Sequence, residues 1–334
     1  MKKDFWSKSR VVVFGGGNWG TVLANLATRN CAEVIVIVRS EELARSVNST
    51  KTNTEYLPDF KLSDKIKAVS TFDKAFEAGP AQAVIWAIPS KPTREQAKLI
   101  SKYFNGEEIL IHATKGVEAG SLKRMSTVLK EEIPCPRIGA LSGPNLAHEV
   151  ARGDPAGTII ASRFEEVIQS GRAIFSSPTF KVFGSSDMIG VEWCGVLKNV
   201  LAIAAGCVDS LGLGWNARAT LLTGGLAEMV RFGTVLGAET QTFLGLAGLG
   251  DMLATCSSPL SRNYRVGQGI GQGKSLKEVV DSLGSVAEGV HTAESVWTYA
   301  QARDIHMPIT KGVYLLTQGQ LSPAEFVKQT LAAY

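Results

Sequence analysis

Short apolar runs alternate with helix-period segments through the first half of the chain. Runs of this length that are rich in valine and isoleucine predict buried strands, because they are too short for helices and are bounded by turn-forming or polar residues. The predicted strands are residues 11–14, 33–38, 67–70, 81–88, 108–113, 137–141, 158–161 and 180–183. Strands that alternate with helices at this spacing favour a parallel, doubly wound sheet, whose ligands bind beyond the carboxyl ends of the strands.

The pattern changes near residue 187. Beyond it the strand alternation is no longer convincing, and long helix-period segments dominate. These segments are residues 191–207, 217–236, 276–283, 292–303 and 312–318. We therefore predict the fold class α/β, with an N-terminal doubly wound Rossmann-type sheet over residues 1–186 and an all-α C-terminal domain over residues 187–334.

The first predicted strand runs directly into a glycine-rich turn. Gly15, Gly17 and Gly20 have the G-x-G-x-x-G spacing, and a helix-period run follows them. The first glycine permits a tight turn, the second lets backbone N–H groups approach a pyrophosphate, and the third lets the helix pack against the strand. The helix N-terminus adds unpaired donors and a partial positive charge. We interpret the turn as a dinucleotide-binding loop rather than an ordinary glycine-rich connection.

Arg39 follows the second predicted strand, at the position that selects between the two nicotinamide dinucleotides. An acidic residue there binds the ribose 2′-hydroxyl of NAD, whereas a basic residue accommodates a 2′-phosphate. Arg39 and Ser40 offer a cation and a hydroxyl, and Glu41 is the first acidic residue after the strand. We predict NADP(H) as the cofactor, with NAD(H) as the alternative if Arg39 only stacks on adenine. A solvated arginine at a strand end is the structural alternative.

Composition narrows the choice of ligands. The chain has 334 residues, with 35 Lys and Arg against 31 Asp and Glu, which gives a formal charge of +4. So small an excess fits a small anionic ligand better than a nucleic acid, which requires a concentrated basic face. The 4 histidines lack metal-ligand spacing, so we expect no metal site and interpret all of them as structural or solvated.

The cysteines and the apolar runs bear on location. The 5 cysteines are widely spaced without a C-x-x-C motif, which is typical of reduced thiols. Residues 1–10 lack the apolar stretch of a secretory signal. The most apolar segment, 191–207, is interrupted by Glu192 and Lys198, so we expect no stable membrane insertion. A cytoplasmic protein is therefore expected.

Lys198 is the first candidate for chemistry in the second half of the chain. At helical spacing its neighbours are Cys194, Gly195, Leu201 and Ala202, all of them uncharged. An amine held there loses solvation, which moves its pKa toward neutrality unless an acid compensates. Such an amine can serve as the general acid in carbonyl reduction. The alternative is a lysine whose ammonium reaches the rim of an apolar helix.

Two further groups follow Lys198 along the chain. A glycine-rich stretch, residues 243–251, ends on Asp251, a carboxylate that could polarise and orient Lys198. Ser261, Arg262 and Asn263 offer a hydroxyl, a guanidinium and an amide that suit a phosphate at a helix start. Helix capping by Asp251, and by the Ser261–Asn263 stretch, is the structural alternative, although capping does not require Arg262.

Seven motifs in a fixed order extend this interpretation over nearly the whole chain. They are Gly-Gly-Gly-Asn-Trp-Gly-Thr at 15–21, Ala-Thr-Lys-Gly at 113–116, Ser-Gly-Pro-Asn-Leu-Ala-His-Glu at 142–149, Cys-Gly-Val-Leu-Lys-Asn at 194–199, Gly-Leu-Gly-Asp at 248–251, Ser-Arg-Asn at 261–263 and Ala-Glu-Gly at 287–289. In these motifs the chain resembles the soluble NAD(P)-dependent glycerol-3-phosphate dehydrogenases. The resemblance implies reduction of dihydroxyacetone phosphate to sn-glycerol 3-phosphate, a precursor of membrane phospholipids.

The resemblance also implies site residues. Beside the glycines of the loop, it places the dinucleotide on Asn18, Trp19, Arg39, Lys115, Ala147, Arg262, Val286 and Glu288. It places the substrate on Lys115, Gly143, Asn145, Lys198, Asp251, Ser261, Arg262 and Asn263. Lys198 would transfer the proton, with Lys115 and Asp251 as further catalytic residues. Position 145 is often Ser or Thr in such enzymes, so the contact that the longer Asn145 makes is left open.

Two other classes of protein are alternatives. The 3-hydroxy-acid and 6-phosphogluconate dehydrogenases also join a dinucleotide domain to a helical domain with a catalytic lysine, but they have an Asn about one turn beyond that lysine. Here Asn199 is adjacent to Lys198 and position 202 is Ala. A non-enzymatic NADPH-binding redox sensor would need neither a buried Lys198–Asp251 pair nor an anion clamp. The expected partner is a small phosphorylated triose, and a homodimer is left open.

Overall fold

The computed structural model describes residues 3–283 and 287–332. The chain divides into two compact units. The sheet unit comprises the chain as far as Thr114 together with Met125–Met188, and the helical unit comprises Lys115–Arg124 and the chain from Ile189 onward. The domain limits expected from the sequence stay a prediction. They do not anticipate that the segment Lys115–Arg124 belongs to the helical unit.

Ten strands lie in the described part of the sheet unit. They are β1 (Arg10–Phe14), β2 (Glu33–Ile37), β3 (Thr52–Asn53), β4 (Leu57–Lys61), β5 (Ile66–Val69), β6 (Ala83–Trp86), β7 (Ile109–His112), β8 (Ile138–Ser142), β9 (Ala156–Ala161) and β10 (Phe180–Ser185). Eight of them form one sheet in the order β10-β9-β8-β7-β6-β1-β2-β5, and β3 pairs with β4 in a separate hairpin. All eight strands predicted from the sequence are present. The β3–β4 hairpin is not predicted.

The helices of the sheet unit follow the expected alternation with the strands. They are α1 (Lys3–Trp6), α2 (Asn18–Ala27), α3 (Glu41–Thr50), α4 (Phe72–Phe76), α5 (Thr93–Ile100, extended by a 3₁₀ turn at Ser101–Tyr103), α6 (Met125–Glu132), α7 (Ala147–Arg152) and α8 (Glu165–Phe175). Apolar side chains of α2 and α8 pack on one face of the sheet, and those of α5 and α6 pack on the other. The central strands are therefore buried on both faces, which explains their unbroken apolar runs.

One strand pairing departs from the expected parallel sheet. β9 runs antiparallel to β8, with Ala140 opposite Ala161, and β10 then runs parallel to β9. The helix between β8 and β9, α7, has only 6 residues and is about 9 Å long. It is too short to carry the chain back to the start of β8, as a parallel crossover requires, so the next strand enters from the opposite end.

The helical unit contains nine α-helices in its described part. They are α9 (Met188–Ser210), α10 (Trp215–Val235), α11 (Thr240–Leu244), α12 (Asp251–Ser257), α13 (Arg262–Gly271), α14 (Leu276–Leu283), α15 (Glu288–Gln301), α16 (Pro308–Thr317) and α17 (Pro323–Ala332). A π-helical turn, Leu246–Gly250, leads into α12. By length and composition α9 could cross a membrane, but its apolar window is entirely buried within the protein. It is the core helix of this unit.

Glycines bring α9 and α13 into backbone contact. A Cβ atom at Gly206 would lie 2.0 Å from the carbonyl oxygen of Tyr264, and one at Gly267 would lie 1.8 Å from that of Ile203. Neither position therefore has room for a side chain. This close crossing fixes the first turn of α13, which carries Arg262, with respect to the helix that carries Lys198.

Candidate active site

The glycine-rich loop between β1 and α2 has the geometry that its spacing predicts. Gly15 has φ +115°, and a Cβ atom there would lie 2.5 Å from the carbonyl oxygen of Ala87. A Cβ atom at Gly20 would lie 1.8 Å from the carbonyl oxygen of Gly15, whereas one at Gly17 would meet no atom within 4 Å. Gly15 and Gly20 thus form the turn and the helix–strand contact, and Gly17 borders open space at a helix N-terminus. The loop fits the pyrophosphate of a dinucleotide.

A buried asparagine that the sequence analysis missed supports this loop. The side-chain amide of Asn53 donates to the carbonyl oxygen of Gly16 and to the hydroxyl of Thr21, both at 2.8 Å. Asn53 is 37 residues from Gly16 along the chain, so no local pattern indicates the contact. At the start of α2, Asn18 lies 3.1 Å from Nε2 of His148. Two predicted cofactor positions, Asn18 and the neighbour of His148, Ala147, are therefore close together.

Trp19 presents a second feature that fits a ligand. Its indole N–H is buried and makes no hydrogen bond within the described part of the chain. A buried donor without a partner is costly. The ring packs near Phe180, with 6.3 Å between the ring centroids.

Arg39 stands at the end of β2 beside a cavity of about 740 Å³. The cavity is bordered by residues that follow β2, β5 and β6, among them Arg39, Ser70 and Ile88. Arg39 forms an ion pair with Glu55 and lies over the ring of Tyr56, 5.7 Å from its centroid. The sequence analysis did not single out Glu55, and its carboxylate competes with any phosphate for the guanidinium of Arg39. Whether Arg39 selects NADP(H) stays a prediction.

The loop after β8 carries two predicted substrate residues. Gly143 has φ +142°, and a Cβ atom there would lie 3.1 Å from the carbonyl oxygen of Gly157. The amide of Asn145 donates to that same carbonyl oxygen at 3.0 Å and accepts from the hydroxyl of Thr158 at 2.8 Å. Asn145 is thereby anchored to β9. Its contact with substrate stays a prediction.

In the helical unit, two lysines share one carboxylate. Nζ of Lys198 lies 2.6 Å from Oδ1 of Asp251, and Nζ of Lys115 lies 2.6 Å from Oδ2. Lys198 also donates to the hydroxyl of Thr255 at 2.6 Å, and that hydroxyl donates to Asp251 at 3.1 Å. We call Lys115, Lys198, Asp251 and Thr255 the lysine cluster. Thr255, one turn beyond Asp251 on α12, was not singled out by the sequence.

Burial and charge set the ionisation of the lysine cluster. Lys198 is 5% exposed and Asp251 is 2% exposed. Burial lowers the pKa of Lys198 to about 8, with Lys115 adding to the shift and Asp251 opposing it. Burial alone would raise the pKa of Asp251, but the two ammonium groups hold it below its ordinary value. The cluster thus keeps one ionised carboxylate and a lysine whose proton is easily given up near neutral pH.

Two structural alternatives are wrong: that the ammonium of Lys198 reaches solvent, and that Asp251 serves as a helix N-cap. Lys198 points into the protein toward Asp251, so its ammonium does not reach a solvated rim. Asp251 is the first residue of α12, and the N-cap is Gly250, which has no capping side chain. Both oxygens of Asp251 are taken by lysines.

The predicted phosphate clamp lies at the start of α13. Ser261 is the N-cap, and its hydroxyl accepts from the N–H of Tyr264 at 3.3 Å; the capping interpretation therefore holds for Ser261. Arg262 is exposed. The side-chain oxygen of Asn263 accepts from the N–H of Gly289 at 3.0 Å, which ties α13 to the first turn of α15.

Asn199 and Gly289 join the clamp to the lysine cluster. The side-chain amide of Asn199 donates to the carbonyl oxygen of Lys115 at 3.2 Å. A Cβ atom at Gly289 would lie 2.6 Å from the carbonyl oxygen of Asn199 and 2.8 Å from the side-chain oxygen of Asn263. Of the other predicted cofactor positions, Glu288 begins α15 and Val286 lies outside the described residues. Among residues 3–283 and 287–332, no group of three or more His, Cys, Asp or Glu could hold a metal ion.

Known proteins match both units. A Rossmann-type sheet with a dinucleotide loop, joined to a helical unit with a buried lysine–aspartate pair, defines a nicotinamide-dependent dehydrogenase. Residues 10–168 match the family model of the NAD-dependent glycerol-3-phosphate dehydrogenase N-terminus, and residues 187–328 match that of its C-terminus. The chain belongs to the NAD-dependent glycerol-3-phosphate dehydrogenase family. The predicted fold class, enzyme class and NAD(P) cofactor are confirmed.

Individual relatives agree over almost the full length. The glycerol-3-phosphate dehydrogenase [NAD(P)+] of Acinetobacter baylyi is 43% identical over 333 residues, covering 95% of this chain and 92% of its own. The crystal structure of glycerol-3-phosphate dehydrogenase from Coxiella burnetii superposes with a TM-score of 0.91 at 33% identity, covering 97% and 99% of the two chains. The yeast glycerol-3-phosphate dehydrogenase structure gives 0.84 at 27% identity, covering 97% and 99%. The hydroxy-acid dehydrogenase and redox-sensor alternatives are thereby set aside.

Proposed function

We propose that the protein reduces dihydroxyacetone phosphate to sn-glycerol 3-phosphate, with Lys198 as the proton donor. The observation that carries the proposal is the buried amine of Lys198, held 2.6 Å from an ionised Asp251 and with a pKa near 8. When bound, the reduced nicotinamide supplies a hydride to C2 of the ketone. Lys198 donates its proton to the ketone oxygen as negative charge develops there.

The rest of the lysine cluster stabilises that charge and orients the donor. Lys115 keeps a second ammonium beside the same carboxylate, so a developing alkoxide meets two positive charges in a site of low dielectric constant. Asp251 holds both ammonium groups in place. Thr255 accepts one hydrogen bond from Lys198, which fixes the direction of the amine.

Arg262, Ser261 and Asn263 bind the phosphate of the substrate. A guanidinium offers two parallel hydrogen bonds to a phosphate, and the first turn of α13 adds backbone donors and a partial positive charge. Binding energy at the phosphate, remote from the reacting carbon, orients the carbonyl. Gly143 and Asn145 line the substrate in the same proposal.

The cofactor is NADP(H) in preference to NAD(H). Gly15, Gly17, Asn18, Trp19 and Gly20 hold the pyrophosphate end, and Arg39 pairs with a 2′-phosphate in place of Glu55. Lys115, Ala147, Arg262 and Glu288 complete the cofactor contacts. A titration of both reduced cofactors on one sample tests the preference; equal affinities contradict the role given to Arg39.

Replacement of Lys198 tests the assignment of the proton donor. Lys198→Ala is expected to lower kcat by about 10³-fold, because it removes both the acid and one of the two charges at the developing alkoxide. NADPH oxidation followed by absorbance measures turnover, and NADPH fluorescence measures cofactor binding, which should not change. Lys274→Ala, at an exposed lysine of the same unit, is the control. Turnover near that of the wild type would show that another group gives the proton.

Replacement of Arg262 tests the phosphate clamp. Arg262→Ala is expected to lower kcat/KM for dihydroxyacetone phosphate by about 100-fold, the size of a lost bidentate charge-assisted contact. At saturating NADPH, where a weakened contact between Arg262 and the cofactor no longer limits the rate, the activity on unphosphorylated dihydroxyacetone should stay the same. Arg265→Ala is the matched control, because Arg265 is an exposed arginine of the same helix. An equal loss on both substrates contradicts the clamp.

The same proposal extends to the location of the enzyme, its metabolic role and its oligomeric state. All 5 cysteines are buried and unpaired with one another, which supports a cytoplasmic enzyme that feeds glycerophospholipid synthesis. Leu213 and Trp215, 40% and 81% exposed, are neighbouring apolar side chains at the start of α10, and this small patch supports a homodimer, because contiguous exposed apolar surface marks interaction sites. Fractionation of cells and light scattering of the purified protein test location and dimerisation; binding to nucleic acid is not expected.

A further inference from the structure

Helix α9 holds the segment Lys115–Arg124 at both of its ends. We call this segment the lysine hairpin. At the first end, Asn199 of α9 donates to the carbonyl oxygen of Lys115. At the second end, Arg124 forms an ion pair with Glu192 of α9 through Nη1 and Oε2. Glu192 and Asn199 are two helical turns apart and therefore lie on one face of α9, about 10 Å from each other along the axis.

The two ends of the lysine hairpin are also joined to each other. Val117 and Arg124 form an antiparallel bridge, and the N–H of Glu118 donates to the carbonyl oxygen of Lys123 at 2.9 Å. The turn between them closes through Leu122, which has φ +56°. A displacement of Arg124 is therefore passed on through the bridge to Val117, only two residues from Lys115.

The Arg124–Glu192 ion pair adds little net stability to the contact between the hairpin and α9. The side chain of Glu192 is only 3% exposed and that of Arg124 is 19% exposed. Removing two charges from water costs nearly as much as their attraction returns, and apolar side chains of similar volume serve equally well for stability. What an ion pair with planar geometry adds is a defined orientation. The segment oriented in this way carries Lys115, whose flexible side chain must reach Asp251.

We propose that Glu192 and Arg124 are positioning residues that hold the lysine hairpin so that the ammonium of Lys115 stays on Asp251. Neither residue belongs to the lysine cluster, and both act on it through the backbone of the hairpin. The inference rests on the proposed role of Lys115 in the reaction. It adds that this role depends on the ion pair between Glu192 and Arg124, which is nine residues beyond Lys115.

A double-mutant cycle tests the inference. Glu192→Gln is expected to lower kcat/KM for dihydroxyacetone phosphate, measured at saturating NADPH, by about 10- to 100-fold, as a displacement of about 1 Å does. Lys115→Met alone should cause a loss at least as large. In the Lys115→Met background, Glu192→Gln should then cost less than threefold, because little remains to be positioned. Multiplying losses would mean that Glu192 acts on general stability, and the inference would be overturned.

The pH profile supplies a readout that a purely structural residue would not change. Lys198 is faced by Asp251, by Lys115 and by the thiol of Cys256, whose own pKa burial raises to about 12. Of these groups Lys115 is the one that lowers the pKa of Lys198 by its charge. Glu192→Gln and Lys115→Met should therefore both move the alkaline limb of kcat/KM to higher pH. An unmoved limb in Glu192→Gln overturns the inference.

Glu228→Gln is the matched control, because Glu228 is a buried carboxylate of the same unit that touches neither α9 nor the hairpin in its hydrogen bonds. It should leave the alkaline limb of kcat/KM in place.

Arg124→Lys keeps the charge but not the planar geometry of the guanidinium. It should give the pattern of Glu192→Gln at smaller amplitude, so the test stands if Glu192→Gln does not fold. If Lys115→Met is as active as the wild type, the proposed role of Lys115 fails and the positioning fails with it. If Lys115→Met is impaired while Glu192→Gln behaves like Glu228→Gln, the positioning alone fails.

Discussion

Two buried carboxylates of the helical unit differ in what compensates their burial. Asp251 lies 2.6 Å from the ammonium groups of both Lys115 and Lys198. Glu228 instead accepts hydrogen bonds at the first turn of α16, from the N–H of Ile309 and from the N–H and hydroxyl of Thr310. Both carboxylates are almost completely inaccessible to solvent.

Their acidities move in opposite directions. Burial raises the pKa of Glu228 to about 7, although the hydrogen bonds from α16 oppose the rise. The pKa of Asp251 lies below its ordinary value, because two full positive charges outweigh its burial. A helix N-terminus carries only about half a charge. In this interior, backbone donors hold a carboxylate in place, but whole charges are needed to keep it ionised.

Removing the charge of Asp251 is the most severe test of this contrast. Asp251→Asn leaves the buried ammonium of Lys198 and the partly buried ammonium of Lys115 side by side without a counterion. We expect kcat/KM to fall by about 10³-fold and the free energy of unfolding to fall by about 3–5 kcal/mol. Kinetics with NADPH and urea unfolding measure the two effects. Activity within tenfold of the wild type would mean that Asp251 does not organise the lysines.

Replacing Glu228 should act on stability through pH. Its folded pKa of about 7 exceeds the ordinary value of 4.5, so its contribution to stability is complete below about pH 4.5 and is lost as the pH rises through 7. Relative to Glu228→Gln, which does not titrate, the free energy of unfolding of the wild type should fall by about 3 kcal/mol as the pH rises from about 4.5 to 7. Urea unfolding of both proteins at pH 5 and pH 8 measures the difference. Parallel pH dependences would contradict the raised pKa.

The smallest expected effect is on the pH dependence of turnover, which should depend on Lys198 beside Asp251 and not on Glu228. Reduction requires protonated Lys198, so kcat/KM for reduction should fall about tenfold per pH unit above pH 8. Oxidation of glycerol 3-phosphate requires the neutral amine and should rise through the same pH. Glu228→Gln should leave both midpoints unchanged. A reduction rate that is flat beyond pH 9 would exclude Lys198 as the acid.

Local patterns in the sequence are enough for the features that depend on neighbours. The eight strands of the sheet follow from runs of apolar residues, and the close backbone approaches at Gly15 and Gly20 follow from the spacing of the loop. The burial of Lys198 follows from the uncharged side chains one turn before and after it. In each case the deciding contacts lie within one strand, one turn or one helix.

Contacts between distant segments escape such patterns. Asn53 reaches the glycine loop, Glu55 reaches Arg39, and Arg124 meets Glu192 across 68 positions of the chain. Polar residues of these kinds are ordinary in surface sequences, and nothing periodic distinguishes a buried one. The antiparallel β9 is hidden for a related reason, since its direction depends on whether the intervening helix is long enough to span the sheet.

The π-helical turn before α12 makes the position of Asp251 depend on the exact number of residues in the turn. The N–H of Gly250 bonds to the carbonyl oxygen of Gly245 at 3.1 Å, five positions back, so this turn contains one residue more than a regular one. Each residue of an α-helix advances the chain by about 100°. A single deletion within Leu246–Gly250 would let the backbone wind regularly and swing Asp251 away from both amines, with every catalytic side chain still encoded. A change in length here would thus remove the activity without replacing a single catalytic residue, and a gap at this point in a related sequence would predict an inactive protein.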